Sequence, residues 1–150
     1  MDMEPAFIRT ARQALGAQYQ FSIASSRSEG LDKAYKEAPD MIIIGYTEPR
    51  GDSFRLHQEL KKNHRTSHTP LLIVDVCPAE HCRKGWRGEE GKQMHAEDYI
   101  ARPLEPAELA ELAAEILEKA TPKPMEMDDI LEQMEKVLKR IEKIEKLLVR

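Results

Sequence analysis

Two cysteines and a histidine form one close group of potentially reactive side chains in the sequence. Cys77, His81 and Cys82 lie within a single polar segment. Thiolate and imidazole groups bind metals, but a metal site needs more ligands than this segment supplies. Nothing in the segment provides a nucleophile with an adjacent base. We therefore expect no enzymatic activity, no metal and no other cofactor here, and keep a redox or metal sensor as an alternative.

The composition allows one domain of ordinary size, or a smaller domain with an extension. Of the 150 residues, 41% are hydrophobic and 33% are charged, so an aliphatic core within a solvated surface is possible. The net charge of -4 argues against a basic surface for nucleic acid. Because the sequence has neither an apolar run of about 20 residues nor an apolar leader, we expect a cytoplasmic protein without membrane contact.

Helical and extended patterns alternate along the first 120 residues. Helices are predicted over 5–16, from Ser26 or Ser28 to before Pro39, over 54–63 and over 105–119. Short apolar runs predict strands at 19–24, 41–44, 71–74 and 99–100. Continuous apolar strands separated by helices are typical of an open parallel sheet with helices on both faces. The fold class is therefore α/β, and residues 1–120 form one domain.

The composition changes after a short linker. Two prolines within 121–124 cannot continue a helix, and 125–150 contains neither Gly nor Pro. Apolar residues recur there with alternating steps of three and four, which predicts a long amphipathic coiled-coil helix. The residues of this seam are Met127, Ile130, Met134, Val137, Ile141, Ile144 and Leu148.

The seam predicts self-association. Isoleucine at both core positions of the heptad favours trimers or tetramers over a parallel dimer. Leu131, Leu138 and Leu147 widen the apolar face. The alternative is that this helix folds back to cover its own sheet.

Three segments of the first domain resemble the CheY-like receiver domain of bacterial two-component response regulators. They are 38–45, which is similar to the strand that delivers the phosphoacceptor aspartate, 69–75, which is similar to the strand ending in a switch hydroxyl, and 98–104, which is similar to the strand with the lysine-proline pair. The resemblance covers roughly residues 4–119. It implies a flavodoxin-like doubly wound fold.

The same resemblance implies a degenerate phosphorylation site. Gly45 stands at the acceptor position, Asp75 at the switch hydroxyl and Arg102 at the lysine, while Asp2 and Met3 stand at the acidic pair that holds Mg²⁺. Gly45 has no nucleophile, and a carboxylate at Asp75 would repel a phosphoryl group. We expect Asp75 and Arg102 to pair instead, the alternative being that each is solvated separately.

The family's first strand is missing, because the sequence starts at the acidic pair. Segment 19–24 would then move inward to pair with 41–44 in a four-stranded sheet, or a partner chain would cover the gap, or the natural start lies upstream. An exposed sheet edge promotes association. Self-association is therefore expected at this edge as well as through the helix.

These features predict a binding module: a pseudo-receiver that acts without phosphorylation and meets an unknown signalling protein. No DNA-reading motif follows the linker, so direct contact with nucleic acid is not expected. The alternative is a response regulator with an atypical acceptor, for which Asp40 and Asp52 are the nearby carboxylates.

Overall fold

The computed structural model describes residues 1–85, 98–121, 131, 134–141 and 144. The chain divides into two units, 1–120 and 121–150. The elements of the first unit are α1 (Pro5–Leu15), α2 (Arg27–Glu37), β1 (Ile42–Ile44), α3 (Asp52–Lys62), β2 (Leu71–Asp75), α4 (His81–Lys84), β3 (Asp98–Ala101) and α5 (Pro106–Ala120), with a 3-10 turn at Pro78–Glu80 before α4.

The described strands form one parallel sheet in the order β1-β2-β3. Ile43 lies opposite Leu72, and Ile73 lies opposite Tyr99. Every residue of β2 is buried, as expected for a central strand with helices on both faces. The predicted α/β class, with an open parallel sheet and flanking helices, is confirmed.

Alternate strand residues point into two apolar cores. One core packs β1 and β2 against α2 and α3, and the other packs β2 against α1 and α5. The first contains Ala34, Ile42, Ile44, Leu56, Leu60, Leu71 and Ile73, and the second contains Phe7, Ala11, Leu72, Val74, Leu109 and Ile116. Packing on both faces of the sheet holds the carboxyl ends of the strands in place. The candidate site lies at those ends.

The prediction of a strand over 19–24 is wrong. This segment has no regular secondary structure, and it does not move inward to pair with β1. The Ile23 carbonyl accepts a hydrogen bond from the Lys33 ammonium, so a side chain takes a position that a neighbouring strand would hold. A strand needs a ladder of backbone partners, and this segment has only one backbone hydrogen bond to the N-terminal residues, at Ala24.

The first residues of the chain lie between this segment and β1. The Met1 ammonium donates to the Ile43 carbonyl at 2.7 Å, and the Gly45 amide donates to the Met1 carbonyl at 2.9 Å. On the other side, the Asp2 amide donates to the Ala24 carbonyl at 3.0 Å. Residues 1 and 2 therefore occupy one end of the position expected for the missing strand.

Helical residues are described in the second unit at 131, 134–141 and 144. The apolar side chains among them are all exposed, by 46% to 57%: Leu131, Met134, Val137, Leu138, Ile141 and Ile144. The seam residues Met127, Ile130 and Leu148, and the linker residues after Thr121, lie outside the described residues. Within the described part of the chain, no helix is long and apolar enough to cross a membrane.

Candidate functional site

The site lies at the carboxyl edge of the sheet. Gly45 directly follows β1, Asp75 is the last residue of β2, and Arg102 directly follows β3. Parallel strands end at the same edge, so these three positions come together although they are far apart in sequence. The N-terminal pairing with β1 brings Asp2 to the same place.

Asp2 is the most heavily hydrogen-bonded carboxylate at this edge. The residue is 2% exposed. Oδ1 accepts from the Glu4 amide at 2.7 Å, and Oδ2 accepts from the Tyr46 amide at 2.8 Å and from the Arg102 guanidinium. Burial raises the pKa of Asp2, whereas the Arg102 charge and the two backbone N–H donors act in the opposite direction. Its orientation is therefore set by three donors at once.

Arg102 bridges two carboxylates. Nη2 donates to Asp2 and Nη1 donates to Glu4. The guanidinium lies over the Phe7 ring, 4.3 Å from its centroid, in a cation–π contact. Its Nε has no hydrogen-bond partner among the described residues. One buried cation thus neutralises both acidic groups at the N-terminal end of α1.

Gly45 is confined by this ion cluster. A Cβ built at Gly45 would lie 2.6 Å from Arg102 Nη2 and 2.9 Å from Asp2 Cγ, closer than side-chain atoms approach in practice. The Gly45 carbonyl is held by the Ser53 hydroxyl at 2.6 Å. The space in which a side chain of residue 45 would stand is therefore filled by the Asp2 carboxylate and the Arg102 guanidinium.

The predicted ion pair between Asp75 and Arg102 is wrong. Only backbone groups connect them, since the Arg102 amide donates to the Asp75 carbonyl at 3.1 Å. The Arg102 guanidinium extends instead toward the two N-terminal carboxylates, which together offer it more negative charge.

The Asp75 carboxylate has other partners. It accepts from the Tyr99 hydroxyl and from the Val76 amide at 2.8 Å, and it lies 3.1 Å from His81 Nε2. Burial and the hydrogen bond to Asp75 raise the pKa of Tyr99 well above its usual range. Asp75 is therefore neither solvated separately nor paired with the arginine.

The acidic groups do not fit the Mg²⁺ that the resemblance implies. Glu4 is held by Arg102 and also lies 3.2 Å from the Lys84 ammonium. The side chain of Met3 offers no oxygen ligand. Among the described residues, no group of three or more His, Cys, Asp or Glu side chains could hold a metal ion. Guanidinium and ammonium groups neutralise the carboxylates that a divalent cation would need.

The remaining candidates lie apart from this cluster. Cys77 and Cys82 are both unbridged thiols, and Cys82 is exposed. Asp40 precedes β1 and therefore lies at the other end of that strand from Gly45. Asp52 begins α3 and forms ion pairs with Arg27 and Arg55.

Sequence reasoning missed four contributors: Glu4, Phe7, Tyr99 and, in its contact with Asp75, His81. Glu4 and Phe7 could have been suspected, since they lie two and five residues from Asp2 at the start of α1. Tyr99 precedes Arg102 by three residues in the segment that resembles the receiver family. The contact of His81 with Asp75 depends on how the loop after β2 folds.

Comparisons with known proteins were made by sequence and by structure. No protein-family model matches the sequence. The chain is 29% identical to Protein PilH of Pseudomonas aeruginosa over 87 residues, which span 58% of this chain and 68% of that protein. It is 25% identical to the phosphate regulon transcriptional regulatory protein PhoB of Escherichia coli over 63% of this chain, but that match spans only 38% of PhoB.

Solved structures give the same result. A response regulator from Chloroflexus aurantiacus matches with a TM-score of 0.66 and 27% identity, over 79% of this chain and 93% of that one. The signal receiver domain of a histidine kinase from Syntrophus aciditrophicus has a TM-score of 0.67 at 18% identity, over 85% of this chain and 93% of that one, and shows the fold alone. The parallel sheet and its flanking helices are those of these structures. The chain therefore has the receiver-domain fold and is similar to CheY-like response regulator receiver domains.

Proposed function

We propose that this chain is a receiver domain that acts without phosphorylation, as a cytoplasmic protein-interaction module multimerised through residues 125–150. It catalyses no reaction in this proposal. The observation that carries it is the occupation of the acceptor position by the Asp2–Arg102 ion pair, which leaves no room for a side chain at Gly45.

The chemistry of phosphoryl transfer argues in the same direction. A phosphoryl acceptor needs a nucleophilic oxygen, and Gly45 has none. A divalent cation would have to displace Arg102 from both carboxylates, at the cost of leaving a buried guanidinium without its partners. A phosphoryl group at this edge would also meet the buried Asp75 carboxylate, which repels it.

An atypical acceptor is the second candidate, because receiver domains signal through an aspartate. Asp52 is the better placed of the two alternatives, since it lies beyond the carboxyl end of β1 as Gly45 does. Its carboxylate is held between Arg27 and Arg55, which would compete with a phosphoryl donor. A sensor based on Cys77, His81 and Cys82 is a third candidate, and alkylation of the thiols without loss of partner binding would remove it.

Intact mass measures phosphorylation directly. We expect the full chain to show no added phosphoryl mass after incubation with acetyl phosphate and Mg²⁺, and no Mg²⁺-dependent binding of beryllofluoride. A mass gain would overturn the proposal. Asp52→Asn and Asp40→Asn would then show which carboxylate is modified, because only the true acceptor's variant would lose the added mass.

The multimerisation part rests on the exposed apolar side chains of the second unit. Met134, Val137, Ile141 and Ile144 keep the alternating steps of the heptad seam, and each is about half exposed. A helix with this much exposed apolar surface gains free energy by packing against copies of itself.

Two single substitutions with the same charge change test that part. Val137→Glu places a charge in the seam, whereas Lys139→Gln also lowers the net charge by one but lies on the opposite side of the heptad. We expect the full chain and the Lys139→Gln variant to have the solution mass of an oligomer, and Val137→Glu to shift toward the monomer. A monomeric full chain would contradict the multimerisation claim while leaving the phosphorylation claim intact.

A further inference from the structure

The apolar seam of the second unit has two different flanks. On one side of the seam stand Leu131 and Leu138, which are both helical and are 54% and 56% exposed. On the other side the sequence has Glu126, Gln133 and Arg140, of which Arg140 is helical and exposed. We call the two leucines the apolar flank and the other three residues the polar flank. Residues in such flanking positions determine the direction in which packed helices run.

The charge of residues 126–150 also changes sign along the sequence. Residues 126–135 contain five carboxylates and no basic side chain, whereas 136–150 contain six basic side chains and two carboxylates. A helix dipole favours such charges only within the first and last turns. The carboxylates extend well beyond one turn, so the dipole accounts for only a part of this pattern. A helix that is acidic at one end and basic at the other is complementary to a second copy that runs in the opposite direction.

A parallel arrangement of two copies does not use these features. Each apolar flank would face the polar flank of the second copy, so the two leucines would lie beside carboxylate and amide side chains. The carboxylates of 126–135 would stand beside the same carboxylates of the second copy, and like charges repel. Arg140 would face Glu145 of the second copy, but an exposed ion pair contributes little to the free energy of association.

An antiparallel arrangement brings like flanks together, because reversing one helix exchanges its two sides. With Met134 opposite Val137 of the second copy, the leucines of the two apolar flanks would come into contact and bury apolar surface. The polar flanks would place Gln133 beside Arg140 of the second copy. The acidic residues 126–135 would lie along the basic part of the second copy, where opposite charges attract.

Arg140 determines the register of this arrangement. Moving the second copy along the axis by one heptad would keep the seam residues in contact but would place Arg140 beside Arg140 of the second copy, where equal charges repel. The register with Met134 opposite Val137 avoids that contact. An unfavourable flank contact of this register, between Glu126 and Leu147, lies farthest from the centre of the pair.

We propose that copies of this chain associate in antiparallel pairs through the apolar seam and the apolar flank. This inference rests on the proposed multimerisation and adds the direction of the helices. Equal numbers of copies then run in each direction, so an assembly contains an even number of copies. Of the trimers and tetramers that isoleucine at both core positions favours, only a tetramer is compatible with this pairing.

Distances between identical spin labels measure the direction of the helices. The full chain with Cys77→Ser and Cys82→Ser is labelled through either Lys136→Cys or Lys146→Cys, two positions outside the seam. In the antiparallel pair, position 146 lies about 20 residues from its copy along the axis, so the two labels are about 30 Å apart. Position 136 lies near the centre of the pair, and its labels stay close together. A parallel assembly gives short distances at both positions, because identical residues lie at the same height.

Gln133→Glu and Lys139→Gln test the polar flank with the same change in charge. Gln133→Glu places a carboxylate beside Arg140 of the second copy, so association measured by sedimentation should become about threefold tighter. In a parallel assembly this carboxylate would lie beside Leu138, and association would weaken. Lys139→Gln lies away from both flanks and should change the association constant by less than about twofold.

The possible outcomes separate this inference from the multimerisation on which it rests. A monomeric full chain would overturn both. An oligomer in which the labels at position 146 lie as close together as those at position 136 would overturn the antiparallel direction and leave the multimerisation intact. Weaker association of the Gln133→Glu variant would contradict the direction independently of the labels.

Discussion

The Arg102 guanidinium and the Asp2 carboxylate form a buried ion pair at the position where a side chain of residue 45 would stand. Glu4 binds the other end of the same guanidinium. The absence of a side chain at Gly45 and the position of this ion pair are thus one structural arrangement. A side chain introduced at position 45 would therefore meet both charged groups.

Gly45→Ala should destabilise the fold by about 1 to 3 kcal/mol, because its Cβ overlaps the Asp2 carboxylate. Chemical denaturation measures this free energy. In an Asp2→Ala background the overlap with the carboxylate is removed and only the close approach to Arg102 Nη2 is left, so the cost of Gly45→Ala should fall by about 1 kcal/mol. Equal costs in both backgrounds would show that the two residues do not compete for this space.

Arg102→Met should cost about 3 to 5 kcal/mol of unfolding free energy, since it leaves the Asp2 and Glu4 carboxylates without their shared cation. Arg27→Met is the control, because Arg27 pairs with Glu59 at 2.9 Å in a partly exposed position and should cost less than about 1 kcal/mol. Thermal and denaturant unfolding of the two variants would decide this. If the two variants lost similar amounts of unfolding free energy, the ion pairs of Arg102 would contribute no more to stability than the partly exposed pair of Arg27.

Tyr99→Phe should destabilise the chain by about 1 to 3 kcal/mol, because it removes a donor from the buried Asp75 carboxylate. Tyr35→Phe serves as the control, since the Tyr35 hydroxyl has no hydrogen bond within the described residues. The raised pKa of Tyr99 also makes the free energy of unfolding depend on pH. As the pH rises, the Tyr99 phenol ionises in the unfolded chain before it ionises in the folded one. Its contribution to stability is therefore complete below about pH 10 and decreases above that pH.

Stability should also depend on pH through the Met1 ammonium. Burial lowers the pKa of this group from 8.0 to about 6. Between these two values the unfolded chain binds more protons than the folded one, so the unfolding free energy rises with pH. The gain from pH 6 to pH 8 should be about 2 kcal/mol.

Acetylation of the Met1 amine is the control for this measurement, because histidines titrate in the same range and acetylation leaves them unchanged. The difference in pH dependence between the free and the acetylated chain isolates the Met1 contribution. If both chains show the same dependence, the ammonium does not contribute.

Sequence patterns were sufficient for the parts of the fold that depend on local periodicity. The apolar runs ending at Ile44 and Val74 indicated buried strands, and the spacing within 5–16 and 105–119 indicated α1 and α5 to within a residue or two. Segment 19–24 carried a similar signal and is not a strand. An alternating pattern of apolar side chains shows only that a segment is suited to a strand. A strand forms only where a neighbouring segment supplies backbone hydrogen bonds.

Strand order alone could not show which charged side chains at the sheet edge form ion pairs. Strand order correctly placed Asp75 and Arg102 at the same edge, and opposite charges then suggested a pair. The direction of the Arg102 side chain depends on where Asp2 and Glu4 lie, and the pairing of the N-terminus with β1 determines that. A long guanidinium side chain binds the densest negative charge within its reach.

By itself, the sequence determined that position 45 carries no nucleophile, that the strands are buried on both faces and that residues 125–150 carry an apolar seam. These are properties of residue type and spacing. Only the tertiary structure decided that Arg102 neutralises Asp2 and Glu4, that Asp75 binds Tyr99 and His81, and that the first two residues lie between β1 and residues 20–24. Each of these depends on distances between residues remote in sequence, which packing of the helices on the sheet sets.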